Sequence, residues 1–386
     1  MKKKEGNRKY IAKTLFGFED ILADELSSIG AENIIKARRA VFFDGNKELM
    51  YRANLQLRTA LSVLVPVYQT TIEKQDDLYD ALREFEWNNY LSNRKTFAID
   101  SVCNSKIFNH SKYLAYRAKD AISDYFRMKY GARPDVKVKD PDVKINVHLA
   151  EKELTISLDS SGEPLFKRGY REFQGVAPLN EVLAAGIIKL SKWDGEELFV
   201  NPMCGSGTLG IEAALMAKNI APGIFRKKFG FETWFSFNKK DYTNILDELD
   251  ETSLKSEIVC SDIKKEIVEG AKKNISNASL TGNIKLMQND FFKTSDYNSG
   301  TVIINPPYGE RLKEADINTF YKYTGDILKK KFSGCNVWLI SSNMEAIKNI
   351  GLRPSEKIEL YNGSIKCKLL RFEIYSGTRK EEKSII

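Results

Sequence analysis

Histidine is nearly absent: His110 and His148 are the only two in 386 residues. That scarcity thins the field for Ser-His-Asp triads, histidine metal sites and imidazole general bases. Cysteine is sparse as well. Cys103, Cys204, Cys260, Cys335 and Cys367 are scattered, odd in number and free of any C-x-x-C pair. Neither a disulfide framework nor a zinc cluster is expected from such a set. No apolar run approaches the roughly 18–20 residues of a membrane span. The basic start Met1-Lys2-Lys3-Lys4 has no apolar segment behind it, so a secretory signal is not expected. These absences point to a soluble, cytoplasmic protein with no metal and no membrane partner.

What is present is ordinary globular material: 42% hydrophobic and 29% charged residues, with ten prolines. At about 150 residues per domain, the length suggests two or three domains. The net charge of +8 is mild, but its local concentration is informative. Lys106, Lys112, Arg117, Lys119, Arg127, Lys129 and Arg133 cluster in one stretch against only Asp120 and Asp124.

No internal repeat supports a solenoid. A strand over Tyr10–Thr14 is followed by helical spacing at Phe18, Ile21, Leu22, Leu26 and Ile29, stopped by Gly30. Strands near Ile34–Ala37 and Ala40–Phe43 and a helix over Lys47–Leu57 complete a small ferredoxin-like unit. A second α+β block runs from Val63 to Leu158, with strands at Thr96–Val102 and Thr155–Asp159 and a helix over Ser111–Tyr130. That helix has an apolar face of Leu114, Ala118, Ala121, Ile122 and Tyr125. Lys112, Tyr116, Lys119, Ser123 and Arg127 fall opposite, within about one quadrant at 100° per residue. Such a face suits a phosphate backbone, and it equally suits plain solvent.

After Gly162 the pattern becomes strand–helix alternation. Glu197–Val200, Glu257–Ser261, Asn283–Gln288, Gly300–Ile304 and Asn336–Ser341 are short strand candidates, which predicts an α/β, doubly wound parallel sheet. Glu356–Tyr361 and Lys366–Tyr375, joined by Asn362-Gly363, read as a closing hairpin. The aromatic-rich stretch Ala221–Asn244 fits no alternation and reads as a loop inserted over this sheet domain.

Chemistry concentrates at strand ends. Asn201-Pro202-Met203-Cys204-Gly205-Ser206-Gly207-Thr208 follows the first strand and opens a helix, and Gly205–Gly210 matches G-x-G-x-x-G. A dinucleotide site wants an acidic residue about 20 positions further on, whereas the next strand ends much later, at Asp262. Asp262 can hold two ribose hydroxyls or cap the helix beginning at Ile263. The third strand ends at Asn289-Asp290-Phe291-Phe292, where Asp290 can accept from an adenine amine or begin a turn. The fourth ends at Asn305-Pro306-Pro307-Tyr308, the most specific signal in the chain. Two prolines remove two donors, Asn305 adds an amide acceptor, and Tyr308 offers a face for stacking a flat base. Acceptors held around an amine, with a flat surface beside it, suit transfer of a methyl group to an exocyclic nitrogen and require no histidine. In isolation the same residues make a Pro-Pro turn with a packing tyrosine.

Asn201–Thr208 with Asn305–Tyr308 resembles the amino-group branch of the class I S-adenosylmethionine-dependent methyltransferases. The whole chain resembles the THUMP-domain RNA methyltransferases, in particular the bacterial 23S ribosomal RNA guanine-N2 methyltransferases. Leu165-Phe166-Lys167-Arg168-Gly169-Tyr170-Arg171, Ala177-Pro178-Leu179-Asn180-Glu181 and Ser105–Phe126 carry that likeness, which extends through Arg311. It implies a ferredoxin-like segment over residues 1–62, a THUMP RNA-binding domain over 63–161 and a Rossmann-like methyltransferase domain over 162–386. The cofactor implied is S-adenosyl-L-methionine, and the partner is RNA, 23S rRNA or a large-subunit assembly intermediate.

The resemblance also implies roles. The loop at Asn201, Met203, Cys204, Gly205, Ser206, Gly207 and Thr208 takes the methionine portion. Asp262 with Ile263 takes the ribose, and Asn289, Asp290 and Phe291 take the adenine. Pro178, Asn180 and Glu181 help close the site, while Asn305, Pro306, Pro307 and Tyr308 receive the base. Lys106, Lys112, Tyr116, Lys119, Arg127, Lys167, Arg168, Arg171 and Arg311 would meet RNA. Two positions depart from the pattern: Asn201, where relatives commonly carry Asp, and Phe166, where they commonly carry His. Four other readings stay open: a tRNA guanine-N2 methyltransferase, a DNA adenine-N6 or cytosine-N4 methyltransferase, a glutamine-directed protein methyltransferase, and a non-catalytic RNA-binding assembly factor. A nicotinamide dehydrogenase is disfavoured by the late Asp262.

Overall fold

The computed structural model describes residues 7–175, 178–307 and 314–374. Two compact units emerge. The first comprises Met1–Thr14, Leu22–Lys167 and Arg226–Glu248; the second comprises Leu15–Ile21, Arg168–Phe225 and Leu249–Ile386.

In chain order the first half contains β1 (Arg8–Thr14), α1 (Glu19–Ser28), β2 (Glu32–Ala37), β3 (Ala40–Gly45), α2 (Lys47–Gln56) and β4 (Ala60–Thr71). It continues with α3 (Gln75–Glu84), β5 (Thr96–Asn104), α4 (Ser111–Tyr130), β6 (Asp135–Val136), β7 (Val143–Ala150) and β8 (Glu153–Asp159). These eight strands form one sheet in the order β2-β3-β1-β4-β8-β7-β5-β6. The long β4 pairs antiparallel with β1 on one edge and with β8 on the other. Residues 62 and 63 therefore lie inside a single strand, and the ferredoxin-like portion passes into the next without a linker.

A buried polar joint reinforces that continuity. Asn54, 1% exposed, donates to the Met50 carbonyl at 2.9 Å and to Ser160 Oγ at 2.8 Å, while its own oxygen accepts from Ser161 Oγ at 2.6 Å. Each of these buried groups is paired, as burial requires. Helix α4 spans the residues its spacing predicts and ends in a left-handed Gly131 cap. Its Leu114, Ala118, Ala121, Ile122, Tyr125 and Phe126 pack into a core with Val143, Ile145 and Val147 of β7. Burying each large side chain there contributes roughly 1.5–3 kcal/mol. Ser123, expected on the polar face, is instead buried.

The aromatic stretch corrects its expected placement. Arg226–Glu248 belongs to the first unit, not to the sheet domain that surrounds it in sequence. Phe231 packs at a tilt of 39° against Tyr51 of α2 with ring centroids 4.6 Å apart, and its backbone N–H donates to Ser160 O at 2.9 Å. Gly230 lies so close to β8 that an added Cβ would fall 2.7 Å from Asp159 O, which explains the lack of a side chain there. Arg226 donates to four main-chain carbonyls, of Ser161, Glu163, Pro164 and Lys167. Aromatic burial, not periodicity, fixes this segment, so strand–helix alternation could not reveal where it docks.

The second half contains α5 (Glu181–Leu190), β9 (Phe199–Asn201), α6 (Thr208–Ala217), α7 (Lys239–Asp247), β10 (Ile258–Asp262) and α8 (Lys265–Asn277). It ends with β11 (Lys285–Gln288), β12 (Thr301–Ile304), α9 (Glu314–Lys331), β13 (Asn336–Ser341), β14 (Glu356–Asn362) and β15 (Ile365–Glu373). Its seven-stranded sheet has the order β11-β10-β9-β12-β13-β15-β14. The first five are parallel, and β15 runs antiparallel to both β13 and β14. This is the α/β, Rossmann-like class I methyltransferase architecture expected from the sequence, hairpin included.

Candidate active site

The chain leaves β9 for β10 on one side and later returns to β12 on the other, so the strand order reverses between β9 and β12. Crevices at the carboxyl ends of parallel strands, beside such a reversal, are where open α/β sheets bind ligands. Asn201 ends β9, Asp262 ends β10, and Asn305 directly follows β12. Parallel register aligns these ends, with Asn201 beside Cys260 and Val200 beside Val302.

Asn201 is fully buried. Its Nδ2 donates 2.8 Å to the Ile303 carbonyl, tying β9 to β12 across the reversal. An ionised aspartate could not make that bond, which gives a physical meaning to the asparagine at this position. Its Oδ1 is buried with no hydrogen-bond partner among the described residues, an unsatisfied acceptor beside the reversal.

The loop beyond turns on two glycines with positive φ, Gly205 at 54° and Gly207 at 82°. Gly207 is the left-handed N-cap of α6, a conformation costing other residues roughly 1–2 kcal/mol. A Cβ built on Gly205 would meet nothing within 4 Å among the described residues, so the cradle faces open space. The Asp262 carboxylate holds the loop by accepting from Gly205 N at 3.2 Å, and it also accepts from Lys264 N at 3.1 Å. Asp262 thus does local positioning while remaining half-exposed; Lys264 is the residue at the N-cap of α8. Ile263 beside it is 58% exposed, an apolar surface at a crevice edge.

Two residues overlooked in the sequence complete the cradle. Asn274 of α8, 1% exposed, accepts from Glu172 N and Phe173 N and donates to Phe173 O and Ser206 O, each at 2.9 Å. It clips the segment before α5 to the glycine loop. Glu212, on the buried face of α6, accepts from Tyr170 OH at 2.9 Å and lies 3.5 Å from Arg168 Nε. Burial and the nearby Glu212 and Glu181 charges push the Tyr170 phenol well above its ordinary value, so it stays a neutral donor. Neither residue belongs to a recognisable local motif. A polar residue at the centre of an apolar helix face, as Glu212 is within Leu209–Leu215, was the one available signal.

These contacts correct two expected RNA contacts. Arg168 is 1% exposed and enclosed with Glu212, so its guanidinium is committed to neutralising a buried carboxylate. Arg171 is 2.7 Å from Glu181, and it donates to Leu179 O at 2.7 Å and Thr208 Oγ1 at 2.9 Å. It braces the entry to α5 against the start of α6. Burial raises the Glu181 carboxyl above its ordinary value, and Arg171 opposes that rise. Asn180 also has a structural task, since its side chain caps α5 by accepting from Val182 N and Leu183 N.

At the third strand end, Asp290 caps a short helical turn by accepting from Phe292 N at 3.0 Å. The Phe291 side chain is a further correction: it is 4% exposed and stacks on Phe332 in the core, leaving Ile263 as the exposed apolar surface. Asn289 donates through its backbone to Asp262 O. Cys204 is buried, which pushes its thiol well above the ordinary range, and Met203 packs partly against the core. Ser206 Oγ and Thr208 Oγ1 are within 3.2 Å of one another. Pro178 is half-buried, Pro306 buried and Pro307 exposed; Ala177, Tyr308 and Arg311 lie outside the described residues.

On the first unit, Lys106, Lys112, Tyr116 and Arg127 are exposed and Lys119 half-exposed, with Tyr116 at 61%. Lys119 pairs with Asp120 and Arg127 with Asp124, and Lys167 pairs with Glu163. Exposed pairs of this kind are weak, so these cations remain able to exchange partners.

A family model described as RMKL-like, methyltransferase domain, matches residues 168–371. The chain belongs to the RMKL-like methyltransferase family. A THUMP domain model matches residues 73–159, and the RlmL ferredoxin-like domain model matches 9–64. Among curated relatives, ribosomal RNA large subunit methyltransferase K/L of Shewanella frigidimarina is 36% identical over 95% of this chain and 53% of its own length. The chain spans about half the length of the K/L relatives it matches. A putative RNA methyltransferase of Synechocystis is 35% identical, with 95% of this chain and 97% of that protein covered. A solved putative methyltransferase, described as complexed with SAH, superposes with a TM-score of 0.84 at 28% identity, covering 97% of this chain and all of that one. Among the described residues of this RMKL-like chain, no helix is long and apolar enough to cross a membrane, and no cluster of His, Cys, Asp and Glu could hold a metal.

Proposed function

We propose that this chain is an S-adenosylmethionine-dependent RNA methyltransferase that modifies the exocyclic N2 amine of a guanine in 23S ribosomal RNA. The observation that carries the reading is the strand-order reversal, where Asn201 ends β9 and Asn305 directly follows β12. The residues present fit the cofactor: an open glycine cradle braced by Asp262, an exposed Ile263, and a buried Asn201 Oδ1 awaiting a donor. Gly205–Thr208 would hold its amino-acid portion, and Asp262 with Ile263 and Asp290 its nucleoside. When bound, the cofactor supplies an electrophilic methyl on a sulfonium.

A nucleobase amine is a poor nucleophile, because its lone pair is delocalised into the ring. Positioning and acceptors for its protons are what the protein must contribute. Asn305 has an amide oxygen for that purpose, and Pro306-Pro307 contributes no competing N–H. The guanine must leave its stack to enter such a crevice. The THUMP match and the RNA-methyltransferase relatives support RNA as substrate, and the cations of α4 suit its phosphates.

Asn305→Ala separates the roles. Methyl transfer to RNA is expected to fall by at least a hundredfold, with cofactor affinity in calorimetry within about threefold of wild type. Equal loss of both would remove Asn305 from its proposed position at the amine.

A further inference from the structure

The first unit contains a cavity of about 380 Å3 that the methyl-transfer crevice does not use. That volume lies within the roughly 300–1,000 Å3 common for small-ligand sites. It is lined by Val65, Pro66 and Val67 of β4 together with Arg8, Lys9, Asn89, Tyr90, Trp234 and Phe235. No carboxylate is among its described lining residues. Arg8 and Lys9 are both exposed at the start of β1.

Two of the lining aromatics are built as platforms. Tyr90 lies parallel to Phe85 behind it, with an interplanar angle of 6° and ring centroids 5.8 Å apart. Phe235 is 55% exposed, so part of its ring surface is open to solvent. Lys95 Nζ lies 4.1 Å over the Phe235 ring and donates to the Thr233 carbonyl. One ring face is thus cationic, and the remaining exposure is available for stacking. The Trp234 indole N–H is buried without a hydrogen-bond partner among the described residues, in a residue that lines the cavity. Flat aromatic surfaces beside cations, with no acidic group among the described lining residues, match a ligand having a π-face and a phosphate.

We propose that this cavity is a binding site for one unpaired nucleotide of the RNA substrate, its base stacked on Phe235 and its phosphate held by Arg8 and Lys9. The inference rests on RNA being the substrate. It deepens that reading by assigning the Arg226–Glu248 insertion a recognition role remote in sequence from Asn305. A base inside a duplex cannot reach such a platform, so the site selects single-stranded RNA over duplex.

The test uses the full chain and a fluorescein-labelled, unstructured 12-nucleotide RNA, with a duplex of equal length as comparison. Binding is read by anisotropy over a salt series. Loss of one base stack is worth roughly 1–3 kcal/mol, so Phe235→Ala should weaken single-strand binding by about 5- to 150-fold while Phe235→Trp restores it. Arg8→Gln should lower the salt slope by about 0.7, one phosphate on a single strand. Melting of each variant within about 2 °C of wild type excludes misfolding as the cause. Wild-type affinity in Phe235→Ala, or an equal loss on duplex, overturns the site while leaving RNA methylation standing. A wild-type chain that neither binds nor methylates RNA overturns the functional reading and this site with it.

Discussion

Replacing Asn274 by alanine tests the positioning of the cofactor loop at a residue outside every glycine or proline motif. The side chain makes four hydrogen bonds of 2.9 Å, two to backbone N–H groups and two to carbonyls. At about 0.5–1.5 kcal/mol net per bond, simple addition spans roughly 2–6 kcal/mol. Glu172 is exposed and Phe173 half-buried, so their freed groups can turn to water. Ser206 is 5% exposed, and its carbonyl cannot. The expected loss is therefore about 2–4 kcal/mol, or roughly 5–12 °C in melting temperature for a unit of this size. The freed loop also spends less time in its binding geometry, and a tenfold drop in that population weakens cofactor affinity tenfold. Asn274→Asp keeps the acceptor for both N–H groups but turns a carboxylate oxygen toward two carbonyls, so it should be no milder. Differential scanning fluorimetry and calorimetry with S-adenosylmethionine read both effects. An alanine variant that melts within 1 °C of wild type and binds with unchanged affinity would refute the clip.

Arg168→Ala should act on stability, not on RNA affinity per folded molecule. It leaves Glu212 buried beside Tyr170, a loss of about 3–5 kcal/mol visible in urea unfolding, while a selective loss of RNA binding would return Arg168 to the surface. Gly207→Ala forces a side chain into φ 82° with a Cβ 3.4 Å from Ala271, so cofactor binding should weaken about five- to thirtyfold, for roughly 1–2 kcal/mol of strain. A pH series addresses His148, whose pKa is lowered from 6.5 by burial and then by Lys13. The unfolded chain then binds the proton first, so stability is full above about pH 6.5 and declines as pH falls through that value toward the lower native one. His148→Gln should flatten melting temperature between pH 5 and 7, and an unchanged slope would assign the dependence elsewhere.

The strand ends were legible because each joins a short apolar run to a residue type that the chemistry needs. Gly205, Gly207, Asp262 and Asn305 fall where the sequence places them, at the carboxyl edge of the parallel sheet. Helix α4 was readable to the residue from its apolar spacing, and the structure places a left-handed Gly131 cap just beyond it. Long-range pairing was not readable. Asn274 meets Ser206 across 68 positions, and no local pattern marks a residue whose partners are backbone groups. The same applies to Arg168 and Arg171: a basic run in sequence does not distinguish a phosphate contact from a guanidinium enclosed with Glu212 or Glu181. Phe291 was assigned to the adenine by its place beside Asp290, but its ring turns inward to Phe332. The Arg226–Glu248 segment defied expectation most, because surface complementarity with α2 and β8 decides where it docks.

Labelled S-adenosylmethionine, supplied with unmodified 23S rRNA and with transfer RNA and DNA in parallel, tests the central claim most directly once the product nucleosides are resolved by mass spectrometry. The expected result is N2-methylguanosine in the large-subunit RNA alone. Label in transfer RNA or DNA, or no transfer to any nucleic acid, would contradict it.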